Sequence, residues 1–170
     1  ELHRGPGAPK PRDTRQDPRR SGFPVPIAQS GRPSIVYFPS CATRMFGAPP
    51  TEQGLLSVPD AMLALLERAG FDVIMPDHLT GQCCGQPFQS KGFPEEAARV
   101  GGALTRELSA LSEAGRLSVV TDASTCAKHL RDFPGDAPVL DSAQFLLAQL
   151  LPRLTITQKL PVVAVHHNCS

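Results

Sequence analysis

Two adjacent cysteines held between glycines, in Gly81-Gln82-Cys83-Cys84-Gly85-Gln86-Pro87, constrain this chain more than any other feature. Neighbouring side chains ordinarily point apart, so two sulfurs reach one centre only if the backbone turns sharply between them. Glycine on either side supplies the positive φ and the close approach that such a turn needs. This is the geometry of a metal or cluster site. The other cysteines, Cys41, Cys126 and Cys169, stand at nearly even intervals around the pair: 41 residues lie between Cys41 and Cys83, 41 between Cys84 and Cys126, and 42 between Cys126 and Cys169. Even spacing predicts one cysteine per βα unit.

The elements between the cysteines fit that plan. Ser34-Ile35-Val36-Tyr37-Phe38 reads as a buried strand ending at Pro39, with Cys41 directly after it. Ser57-Val58-Pro59-Asp60 supplies an N-cap, a proline in the first turn and an acid at N3 for a helix over 61–69, stopped by Gly70. Residues 71–75 form a second strand, followed by the Cys83-Cys84 loop. Pro94-Glu95-Glu96 opens a long helix with an apolar stripe of Ala97, Val100, Leu104, Leu108 and Leu111, and 117–121 form a third strand. Asp122-Ala123-Ser124-Thr125-Cys126 then turns into a helix, with Ser124 or Thr125 as cap and Cys126 in the first turn. The helix dipole there favours its thiolate. A last helix runs from Asp141 or Ser142 through Leu151, burying Phe145, Leu146, Leu147, Leu150 and Leu151. Residues 161–165 are a fourth strand, with His166-His167-Asn168-Cys169 running off its end.

Alternating strands and helices predict an α/β fold, a three-layer Rossmann-like parallel sheet with right-handed crossovers. Ligands in such sheets sit beyond the carboxyl ends of the strands, where every cysteine of this chain falls. Five cysteines in 170 residues favour metal or redox duty in a reducing compartment, hence a cytoplasmic protein, with a peripheral place at the inner face of the plasma membrane as a variant of that expectation. No apolar run reaches the roughly 18 residues of a transmembrane span.

Residues 1–33 stand apart, with seven prolines, four glycines and seven Lys and Arg against three acids. So little apolar surface cannot offset the entropy of ordering, and the segment reads as an interdomain linker rather than an arm for anionic surfaces. The remainder carries ten basic and 13 acidic residues, which gives no reason to expect nucleic acid. The sequence begins Glu1-Leu2-His3-Arg4 without Met and reads as a segment of something longer.

Tyr37-Phe38-Pro39-Ser40-Cys41, Gly81-Gln82-Cys83-Cys84-Gly85 and Asp122-Ala123-Ser124-Thr125-Cys126 together resemble the first repeat of the cysteine-rich CCG domain. That domain occurs in the iron-sulfur subunit of glycolate oxidase, in lactate-utilisation proteins, in heterodisulfide reductase and at the C-terminus of FAD-linked D-lactate dehydrogenases. The wording around Arg44-Met45-Phe46-Gly47 is most similar to the last of these. The resemblance implies that Cys41, Cys83, Cys84 and Cys126 are ligands of an iron-sulfur cluster, a 4Fe-4S cubane, or of zinc. The family pattern ends in Cys-x-x-Cys, and His129 stands here at the second position. His129 is thus a candidate fifth ligand, or a donor to the ligands; the competing reading is a solvated histidine beside Lys128 and Arg131.

Val163 to Cys169 resembles Val36 to Cys41, so Cys169 is expected as a metal ligand opening a second repeat. The chain then divides into a linker over 1–33, a first CCG repeat over 34–152 and the start of a truncated second repeat over 153–170. His166 and His167 are weaker metal candidates. Asp77-His78 reads as a turn, and Arg44 and Lys91 as cations able to balance thiolate charge. A vicinal Cys83-Cys84 disulfide is disfavoured by its strained ring.

The resemblance further implies a flavoenzyme oxidising a 2-hydroxy acid such as D-lactate or glycolate. Electrons would pass from FAD, in a domain outside this chain, through ferredoxin-like and CCG domains to a respiratory acceptor. The chain holds neither a GxGxxG flavin loop nor a Cys-x-x-Cys-x-x-Cys run, so alone it is expected to show no dehydrogenase activity. The alternatives are a structural zinc module at a subunit interface and a thiol-disulfide redox protein, the latter weakened by the absence of a Cys-x-x-Cys pair.

Overall fold

The computed structural model describes residues 31–47 and 55–158, together with Val162 and Ala164. Residues 1–30, which contain most of the expected linker, lie outside the described residues, as do most of the expected strand over 161–165 and all of His166, His167 and Cys169.

Ser34–Phe38 forms β1, a strand buried along its whole length. A continuous apolar run of this kind suits a central strand covered on both faces. β2 (Asp72–Ile74) and β3 (Val119–Thr121) pair with it in parallel on either side, and β4 (Val139–Asp141) pairs in parallel with β3. The sheet order is β2-β1-β3-β4. Among the described residues, six α-helices surround it: α1 (Cys41–Phe46), α2 (Val58–Arg68), α3 (Gln86–Ser90), α4 (Pro94–Leu111), α5 (Ser124–Arg131) and α6 (Ser142–Phe145).

Strand periodicity divides the core into two layers. Ile35, Tyr37, Val120 and Leu140 face α2 and α6, packing with Met62, Leu66, Phe71, Phe145 and Leu150. Val36, Phe38, Val119 and Val139 face α4 and α5, packing with Leu104, Leu108, Leu117, Ala127 and Leu130. The three-layer parallel α/β fold expected from the sequence is therefore the fold of the chain. Cys84 and Cys126 belong to the second layer, so their thiols stand where core meets loop.

Several details differ from the sequence reading. β4 lies in 139–141, a stretch without a strand signal of its own, because three residues are too few for a period to show. The start of α5 is capped by neither Ser124 nor Thr125: both are inside the helix, and Ala123 precedes them without a side-chain cap. After Phe145 the last helix widens into a π turn over Leu146–Leu150, closed by the Leu151 N–H donating to the Leu146 carbonyl, and ends in a 3₁₀ turn over Leu151–Arg153. One face can bury only one stripe: Phe145 and Leu150 are buried, while Leu147 and Leu151 are exposed.

Candidate metal centre

The chain passes from β1 to β2 by way of α2 on one face, then returns to β3 by way of α4 on the other. The loops leaving β1 and β3 thus diverge at the topological switch, the place where such sheets open a crevice for ligands. Cys41 begins α1 with two residues between it and the end of β1, and Cys126 lies in the first turn of α5 after β3. The loop from β2 carries Cys83 and Cys84 to the same edge.

Two side chains hold these loops together. The Asp122 carboxylate, just past β3, accepts from the Ser40 amide (2.9 Å), the Tyr37 hydroxyl (2.8 Å) and the Thr43 hydroxyl (2.9 Å). Ser40 in turn caps α1, its hydroxyl accepting from the Thr43 amide at 3.3 Å. Asp122 therefore ties the Cys41 loop to the Cys126 loop. Arg44 does the same for the third loop: its guanidinium donates to the carbonyls of Ser40 (3.3 Å), Leu79 and Gln82 (2.8 Å). Its planar fork can reach three carbonyls at once, which a lysine ammonium cannot reproduce. Arg44, expected from the sequence only to balance thiolate charge, is a strut. Lys91 is exposed at the end of α3; Asp77 and His78 are exposed in the loop after β2, ahead of rather than within the turn that the Gln82 amide closes by donating to the Leu79 carbonyl.

Glycines admit the close approaches. Gly85 has φ +92°, and a Cβ there would lie 2.4 Å from the Ala97 carbonyl oxygen of α4. Gly101, inside α4, leaves room for the Phe133 ring and for the Cys84 carbonyl, which would lie 2.7 Å from a Cβ at that position. Helix-interior glycine costs roughly 1 kcal/mol relative to alanine, and that cost is the one sequence signal that could have marked Gly101.

Within this frame Cys41, Cys83, Cys84 and Cys126 are all free thiols, so Cys83 and Cys84 form no vicinal disulfide. The Cys84 and Cys126 sulfurs are 3.0 Å apart. The Cys83 sulfur accepts from the Gly85 amide at 3.4 Å. Cys41 and Cys83 are partly exposed, whereas Cys84 and Cys126 are buried. The hydrogen bond with Cys126 pulls the Cys84 pKa down to about 7, with a smaller contribution from the Gln86 amide. The same contact, with burial, pushes Cys126 up. The expectation that the helix start favours a thiolate at Cys126 is thus corrected: contact with Cys84 and burial move its pKa up, while that of Cys84 moves down. Burial also raises Cys83.

His129 is buried, not solvated beside Lys128 and Arg131, and its Nε2 has no hydrogen-bond partner among the described residues. Burial lowers its pKa. Among the described residues no three His, Cys, Asp or Glu side chains stand close enough to share one metal ion. By donor chemistry the site fits a thiolate-bound centre: four soft sulfurs arrive from three loops, two of them in contact, with carboxylates engaged elsewhere.

The model of the CCG cysteine-rich domain family matches residues 35–131, more than half of the chain and the whole stretch that builds this site. This chain belongs to the CCG cysteine-rich domain family. The matched span runs from β1 to the end of α5, so it contains all three thiol loops, Arg44, Asp122 and His129 of this CCG domain. No curated protein and no solved structure matches the chain significantly. Membership of the CCG family points to metal binding or iron-sulfur chemistry in an oxidoreductase setting. No helix among the described residues is long and apolar enough to cross a membrane.

Proposed function

We propose that this CCG domain is the iron-sulfur electron-transfer module of a FAD-dependent dehydrogenase of 2-hydroxy acids, such as D-lactate or glycolate. The observation that carries this reading is the gathering of four free thiols from three loops at the switch point, on a frame whose struts, Arg44 and Asp122, need not be ligands themselves. Cys41, Cys83, Cys84 and Cys126 would hold the cluster, which when bound supplies one-electron redox chemistry. The protein orients the thiols, keeps two of them out of water and presents the partly exposed pair, Cys41 and Cys83, toward a redox partner. Flavin and ferredoxin-like domains of the parent protein, a second CCG repeat beginning near Cys169 and a respiratory acceptor are the partners this role calls for, in a cytoplasmic setting.

The same four thiols support a second reading, a structural zinc module. An absorption spectrum with iron, sulfide and zinc analysis, on protein purified without oxygen, separates the two. Iron with equivalent sulfide and broad absorption near about 400 nm supports electron transfer. Colourless protein with stoichiometric zinc overturns it.

A further inference from the structure

We propose that His129 donates a hydrogen bond from Nε2 to a sulfur of the centre and thereby raises its reduction potential, an inference that rests on the iron-sulfur reading above. His129 lies one helical turn beyond Cys126 on α5, so both side chains project from one side of that helix. The residue is only 8% exposed, and Nε2 is buried without a partner. A buried imidazole nitrogen left unpaired costs about 1–3 kcal/mol, which an apolar residue at this position would avoid. The ring is fixed edge-to-face against Phe133, with centroids 5.1 Å apart. Its polar edge is turned toward the thiol loop, since a Cβ built on Gly85 would lie 3.2 Å from Nε2. Gly85 is the residue after the cysteine pair.

A neutral thiol is a poor acceptor, whereas metal-bound thiolates and cluster sulfides are good ones. The nitrogen that has no partner among the described residues therefore gains one when the centre is assembled. Hydrogen bonds to the sulfurs stabilise the more negative, reduced state and shift the potential upward.

The test compares the full chain, loaded with iron and sulfide, with His129→Leu and His129→Gln by potentiometric titration followed by electron paramagnetic resonance. His129→Leu is expected to bind the same iron and sulfide with a midpoint more negative by about 59 mV, tenfold in the equilibrium of a one-electron couple. His129→Gln, which keeps a donor, stays near the wild-type value. In wild-type protein exchanged into D2O, pulsed spectra are expected to show a deuteron coupled to the centre that His129→Leu lacks, a readout independent of the variants' stability. Equal midpoints and equal deuteron couplings in all three proteins overturn the inference, and so does iron loss in both folded variants, which makes His129 a ligand. A wild-type chain that takes up no iron and sulfide overturns the electron-transfer reading itself.

Discussion

Asp122 receives three donors, one each from β1, the turn after it and α1, and they reach it across 85, 82 and 79 positions of sequence. Asp122→Asn replaces one acceptor oxygen with an NH2 group, so at least one buried donor faces another donor. A loss of about 2–3 kcal/mol is expected in urea unfolding of the metal-free chain, the range for hydrogen bonds to a charged group. An unchanged midpoint would show that the carboxylate is not the tie between the loops. The cysteines stood out by their spacing, whereas His129 was legible only through the Cys-x-x-Cys pattern that the family resemblance supplied. Asp122 and Arg44 stand out as parts of motifs, but not as struts, because their roles exist only in contacts between loops that no local pattern reports. His129 also carries a pH signature. Burial holds its folded pKa below the ordinary value of 6.5, so below that pH the unfolded chain binds a proton that the folded chain resists. The stability it contributes is present above about pH 6.5 and lost as the pH falls through the folded pKa, opposed in part by Asp132. The melting temperature of the metal-free chain is expected to drop between about pH 7 and pH 5.5, and to drop less in His129→Gln. Identical pH profiles would contradict the assignment.

Elements with strong periodicity, β1, α2 and α4, were legible because one stripe or one run of side chains is buried along each. β4 was not, since Val139-Leu140-Asp141 is held by pairing to β3 rather than by any pattern of its own. The last helix reads as a regular α-helix because a π turn leaves no mark in composition; it changes which leucines face the core. The short α3 is hidden for a different reason: it starts from Gly85, whose left-handed backbone converts the thiol turn into a helix. Gly85→Ala adds strain at φ +92° and drives a methyl group into the Ala97 carbonyl. A loss of about 2 kcal/mol or more is expected in thermal or urea unfolding, together with reduced metal uptake. Wild-type stability in this variant would mean that α3 and α4 separate freely, and the close approach would then not define the thiol loop.

At the scale of the molecule, the sheet order β2-β1-β3-β4 decides where chemistry can occur. It sends the β1 and β3 loops to opposite faces, and the crevice between them receives the β2 loop with its cysteine pair. The sequence carried the parallel fold, since alternation reports it, but one cysteine per βα unit holds only after β1, β2 and β3; β4 and α6 carry none. It did not carry the strand order, which follows from how the two core layers close over β1. On the proposed function, thiols from three loops make one centre. The test is iron, sulfide and zinc content of the full chain purified without oxygen, measured alongside Cys41→Ser, Cys83→Ser, Cys84→Ser and Cys126→Ser. One centre predicts that each of the four variants loses most of its metal. Full metal content in the Cys84→Ser and Cys126→Ser variants, the two whose sulfurs touch, would contradict the claim.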